Sequence, residues 1–224
     1  MINKVIVPKA QLVSDDGWIV VDCLSEFGNV ARTEGGLRLD ELPPEISWNS
    51  EVTNVAGQIG RNGPSTYIYN VLLQYPDNVA SRRMENTKAG LHALADQRRL
   101  GVYEEICAAF HRHRDDFLAE MKVGRHFTLS NNTELLRGFS NSAEDDSEFL
   151  SSRAQWVQSL KYVFPVPDEV LKQEREKIWS TNPLRELRLT ELKLQAEQDE
   201  QELQKVWSTQ AQVKKSLFKR FLGR

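Results

Sequence analysis

The chain has 224 residues, 40% hydrophobic and 27% charged, with a formal net charge of −3. That is enough apolar material for one substantial core or two small ones, and it excludes wholesale disorder. The charge supplies no global attraction to polyanions, so any contact with nucleic acid or a membrane has to be local.

The opening stretch, Met1-Ile-Asn-Lys-Val-Ile-Val-Pro8, is too short an apolar run for a signal peptide and has no small-residue cleavage site. No stretch approaches the roughly 18–20 apolar residues that span a bilayer. Cys23 and Cys107 are far apart in sequence and read as free, buried thiols. The expected location is the cytoplasm, or a particle assembled there.

Residues 1–80 read as β-rich, giving an expected α+β fold. Trp18–Leu24 is a short apolar run after the turn-forming Ser14-Asp-Asp-Gly17, the pattern of a buried strand. Thr66–Tyr75 is rich in β-branched and aromatic residues and predicts a second strand. Between them Gly35-Gly36, Pro43-Pro44 and Gly60–Pro64 punctuate the chain, and the 57–63 glycines read as a turn or hairpin tip. They lack the Gly-Lys-Ser/Thr ending of a nucleotide-binding loop. This half is acidic, carrying Asp15, Asp16, Asp22 and Glu26 among others.

Residues 81–180 form a helical region. From Lys88 to Met121 apolar residues recur at spacings of three and four, with Gly101 as the expected break. Glu134–Arg137 predicts a helical turn. Ser142 is placed to cap the amide of Asp145 at the start of a helix running to Phe164, and Pro165-Val-Pro167 stops it. The acids Glu144, Asp145 and Asp146 complement that helix's positive end. Pro167-Asp-Glu169 opens a further helix to Trp179.

Residues 181–224 predict one long amphipathic helix, capped by Asn182 and with no glycine until Gly223. Its seam runs through Leu189, Leu192, Leu203, Val206 and Val213, interrupted at Asp199 and Gln210. A helix of that length, roughly 55–60 Å, exceeds the width of a domain this size. It packs along the preceding helices or pairs with another chain. Its tip is basic and apolar at once. Leu217, Phe218, Phe221 and Leu222 share a face bordered by Lys214, Lys215, Lys219 and Arg220. Such a tip can dock on an acidic protein groove, an anionic membrane or nucleic-acid phosphates. Docking on a protein partner is favoured, with the acidic first half of a neighbouring copy as one candidate receptor, because two exposed phenylalanines exceed what a helix dipole requires.

Cys107, His111 and His113 are the one candidate metal or nucleophilic set, since Cys107 and His111 are one helical turn apart. A structural zinc site needs four donors, and Cys107 sits on an apolar face. No catalytic, cofactor or metal assignment follows. Arg112, Arg114, Arg125 and Arg137 read as a solvated face, given the acids beside them. The expected function is that of a non-enzymatic assembly protein, such as a viral (phage) connector or tail-assembly subunit, acting as a homo-oligomer or with other subunits. A nucleic-acid accessory protein is the alternative, and a membrane partner is not expected.

Overall fold

The carboxylate of Asp16 accepts the amide of Trp18 at 2.9 Å, and that bond starts a helix where the apolar run predicted a strand. In the computed structural model, which describes residues 2–198 and 200, the described residues are mainly helical. The expected α+β fold with a β-rich first 80 residues is overturned. A four-residue strand β1 (Val5–Pro8) leads into a short α1 (Lys9–Leu12), α2 (Gly17–Thr33) and α3 (Pro44–Tyr67). A π-helical turn (Ile68–Leu72) follows, then α4 (Asp77–Ala93), α5 (Gln97–Lys122), α6 (Asn132–Phe139) and α7 (Ala143–Ser159). Strand β2 (Val163–Val166) and α8 (Asp168–Trp179) come next, and residues 185–198 are helical.

The reason for the correction is visible in which side chains are buried. In α2 these are Val20, Val21, Leu24, Phe27 and Ala31, spaced by three and four, which only a helix presents on one face. A continuous apolar run cannot distinguish the two by itself. The predicted strand Thr66–Tyr75 is likewise the end of α3 and the π turn. The 57–63 glycines lie inside α3, not at a hairpin tip. Only Gly63 departs from helical geometry, at φ 80°, and Pro64 restarts the helix behind it.

Other local signals hold. Ser142 Oγ accepts the Asp145 amide at 3.1 Å, residues 132–139 include the expected turn as α6, and α8 begins directly after Pro167. The break near residue 101 is displaced: the chain turns at 94–96, where Ala95 takes φ 54°, and Gly101 is inside α5. α7 stops at Ser159, before the predicted Phe164, because residues 163–166 pair with β1 in parallel. Val5 faces Val163 and Pro8 faces Val166 in that ladder. It joins residues about 160 apart, which no local pattern reports.

Two apolar clusters result. One gathers β1, α1, α2, the end of α7, β2 and α8 around Ile6, Leu24, Phe27, Val157 and Trp179. The other gathers most of α3, the π turn, α4, α5 and α6 around Ile59, Tyr67, Leu91, Tyr103, Ile106 and Phe139. Helix α3 serves both, giving Ile46 to the first and Val52 to the second. Each fully buried leucine, isoleucine or phenylalanine contributes on the order of 1.5–3 kcal/mol.

Candidate functional site

Where α8 ends, the chain is fastened before it leaves the body. Asn182 Nδ2 donates to the carbonyls of Gly35 (2.9 Å) and Gly36 (3.0 Å), while its Oδ1 accepts the Leu184 amide at 3.1 Å. Asn182 thus serves as the expected cap and also as a clamp. The two glycines are required by the space. A Cβ on Gly35 would stand 2.7 Å from the buried Trp179 ring, and Gly36 takes φ +60°.

Two arginines complete the fastening. Arg185 Nε donates to the Glu34 carbonyl at 2.8 Å, and its guanidinium makes a two-pronged pair with Glu176. Arg188 bonds the Gly36 carbonyl at 3.0 Å and takes both carboxylate oxygens of Glu41, at 2.6 and 3.1 Å. The hydrogen bond from Arg188, helped by the Arg38 amide, holds the Glu41 carboxyl below its usual range. The hydrogen bond from Arg185 does the same for Glu176. Such two-pronged pairs orient as well as attract.

Beyond this base the helix separates from both cores. Every residue from 190 to 198 is exposed. Of the predicted seam, Leu189 is half-buried against the body and Leu192 edges a groove of 550 Å³ shared with Leu37, Leu39, Arg32, Arg38 and Arg82. The opposite stripe, Leu184, Leu187 and Leu194, spaced three and seven, is 45, 59 and 53% exposed, and Leu192 at the groove edge is 43% exposed. Leu203, Val206 and Val213, with the tip residues Lys214, Lys215, Leu217, Phe218, Lys219, Arg220, Phe221 and Leu222, lie outside the described residues.

The Cys/His set does not converge. Cys107 is buried and its thiol is pushed up to about 11 by burial, so it is protonated near neutrality. His111 is exposed, and His113 Nδ1 lies 3.0 Å from Asp116 beside Phe127. Among the described residues no group of three or more His, Cys, Asp or Glu is arranged to hold a metal ion. The acids at the start of α7 act structurally. Asp145 binds Arg98 at 2.5 Å and Arg99 at 2.6 Å, tying α7 to the start of α5. Burial alone would raise its carboxyl, but the Asn141 amide and the two guanidiniums outweigh it and lower it. Of the arginines expected on a solvated face, Arg114 pairs with Asp77 at 2.6 Å.

Sequence reasoning did not find the Arg185 and Arg188 clamp, whose partners Glu34, Gly36 and Glu41 lie about 150 residues away along the chain. It also assigned Trp18 and Ile19 to a buried strand, whereas both are exposed on α2. No known protein family matches the chain, and no curated protein or solved structure resembles it significantly. Among the described residues no helix is long and apolar enough to cross a membrane.

Proposed function

We propose that this chain is a non-enzymatic assembly subunit that packs against neighbouring subunits through its C-terminal helix. The observation that carries this reading is the bare leucine stripe on a fastened helix. Leu184, Leu187 and Leu194 face away from both cores, while Asn182, Arg185 and Arg188 set the direction in which the helix leaves. Apolar side chains repeated along one exposed helix face have little use except contact with another surface. Fixing the base lowers the ordering cost of that contact. The particle class expected from the sequence, a viral connector or tail assembly, is the first setting in which to look for it.

The test is solution mass by light scattering, comparing the full chain with the Leu187→Glu/Leu194→Glu variant. Both positions are solvated, so folding is untouched and circular dichroism stays the same. An oligomeric wild type and a smaller variant support the reading. A wild type that is monomeric at every concentration removes it.

A second reading, contact with nucleic-acid phosphates, is favoured by one observation. Arg32, Arg38 and Arg82 line the same groove, and none of them forms an ion pair among the described residues. Asp40 and Glu191 on the groove wall count against it. Oligonucleotide binding that weakens steeply with added salt would support this second reading, and no binding at low salt would end it.

A further inference from the structure

The surface around the start of α2 is used by neither core. Val13, Trp18 and Ile19 are 63, 47 and 43% exposed, three large apolar side chains within seven residues of sequence. Asp15, Asp16, Asp22 and Glu26 are exposed among them. Ile19, Asp22 and Glu26 follow one another at spacings of three and four, so they form one stripe along the helix. Asp16 is occupied in capping the Trp18 amide, and Glu26 accepts from Gln11 at 3.1 Å with Arg175 4.0 Å away. Asp15 and Asp22 form no ion pair among the described residues. Lys9 on α1 is the cation nearest in sequence.

Trp18 is held ready. One side of its ring lies 5.8 Å from the guanidinium of Arg153, which is itself buried, and nearly half of the residue is still open to solvent. An exposed tryptophan fixed from beneath and ringed by acids is the composition of an interface anchor.

The complement of this surface is in the same chain. Lys214–Leu222 offers Leu217, Phe218, Phe221 and Leu222 with Lys214, Lys215, Lys219 and Arg220 around them, so both the apolar and the charged chemistry match. The fifteen residues 199–213 that precede it span about 22 Å as helix and about 50 Å extended. They continue from a segment exposed at every position from 190 to 198.

We propose that the Val13–Glu26 surface is the receptor for the 214–222 segment of a second copy of this chain. The inference rests on the assembly reading above and specifies its geometry. Tip and receptor are different surfaces, so the contact is head to tail, and repetition gives a ring or a filament.

Charge exchange in the full chain tests it. Asp15→Lys/Asp22→Lys and Lys215→Glu/Lys219→Glu each alter exposed side chains, and circular dichroism verifies the fold. Light scattering should show each variant alone associating at least tenfold more weakly than wild type. A one-to-one mixture, in which every tip again meets an opposite charge, should recover the wild-type mass. Excess of a peptide spanning residues 209–224 should dissociate the wild-type assembly. Wild-type assemblies unaffected by Asp15→Lys/Asp22→Lys and by the peptide overturn this inference and leave the assembly reading standing. Loss in both variants without recovery on mixing also overturns the pairing. A wild type monomeric at all concentrations overturns both.

Discussion

The guanidinium of Arg153 on α7 donates to Thr53 Oγ1 on α3 from a site only 1% exposed, with no carboxylate in ion-pair range among the described residues. It also reaches Asn49 Oδ1 at 3.4 Å, and Asn49 in turn donates to the Val21 carbonyl at 2.9 Å and to Ser25 at 3.0 Å. Three helices, α2, α3 and α7, therefore meet at one polar node beside the boundary of the two apolar clusters. Burial lowers the Arg153 pKa to about 10. A buried cation with no direct ion pair, supported only through space by the Asp22 carboxylate, is costly and is retained for what it positions.

Replacing it separates charge from volume. Arg153→Met keeps the aliphatic bulk and removes the desolvation cost, so stability should change by about 1 kcal/mol or less, or rise. Arg153→Ala leaves a hole and should cost about 2–4 kcal/mol. Urea unfolding of the three proteins measures both. A Met variant as unstable as the Ala variant would mean that the hydrogen bonds, not the packing, hold the junction.

The clamp on the 34–36 turn is predicted to be tight on space. Gly35→Ala places a methyl 2.6 Å from the Ala31 carbonyl oxygen and 2.7 Å from Trp179, and should destabilise by about 1–3 kcal/mol. Asn182→Ala removes two donations and the cap, costing about 1–3 kcal/mol. Thermal unfolding reports the first. Hydrogen exchange across 184–190 reports the second, as faster exchange confined to the helix base.

Acid should loosen the same base. Glu41 and Glu176 have carboxyls lowered in the folded protein by Arg188 and Arg185. A lowered carboxyl stabilises above its unfolded pKa, about 4.5, and that contribution is lost as pH falls through the lower folded value. The amide resonances of Gly36 and Arg188 should be constant down to about pH 4.5 and move below it. Glu41→Gln should remove much of that transition. A transition centred above pH 5 would contradict the assignment.

Both thiols should be inert in the native protein. Burial, with Glu26 and Asp22 adding to it, pushes Cys23 up to about 12, and burial pushes Cys107 up to about 11. Neither is a thiolate near neutrality, and neither is accessible. A disulfide exchange reagent should label no sulfur before unfolding and two afterwards. Rapid labelling of either one in the folded state would show that its helix opens.

Much of the helical half was legible because its signals are short-range. Ser142 and Asp145 are three residues apart, Pro167 precedes α8 directly, and Asn182 caps its neighbour Leu184. Capping and helical periodicity are satisfied within a turn or two, so the residues that need each other are neighbours in sequence. The amphipathic character of 185–198 was readable for the same reason. Which of its leucines face the body was not, since Arg185 and Arg188 decide that by bonding Glu34, Gly36 and Glu41.

The first 80 residues were misread because their decisive partners are remote. The apolar run from Trp18 to Leu24 fits a strand or a helix equally well in isolation. It becomes a helix where Asn49 of α3 meets the Val21 carbonyl, and where Val157 and Trp179 supply the surface that its spaced apolar face buries. Among the described residues the only strands pair Val5–Pro8 with Val163–Val166. By itself, then, the amino-acid order determined where α7, α8 and the 185–198 helix start, and that the chain carries an acidic beginning and a basic, apolar end. The tertiary structure alone decided which apolar run is helix, which polar side chains are clamps and which apolar ones remain exposed, because those outcomes depend on contacts between residues a hundred or more positions apart.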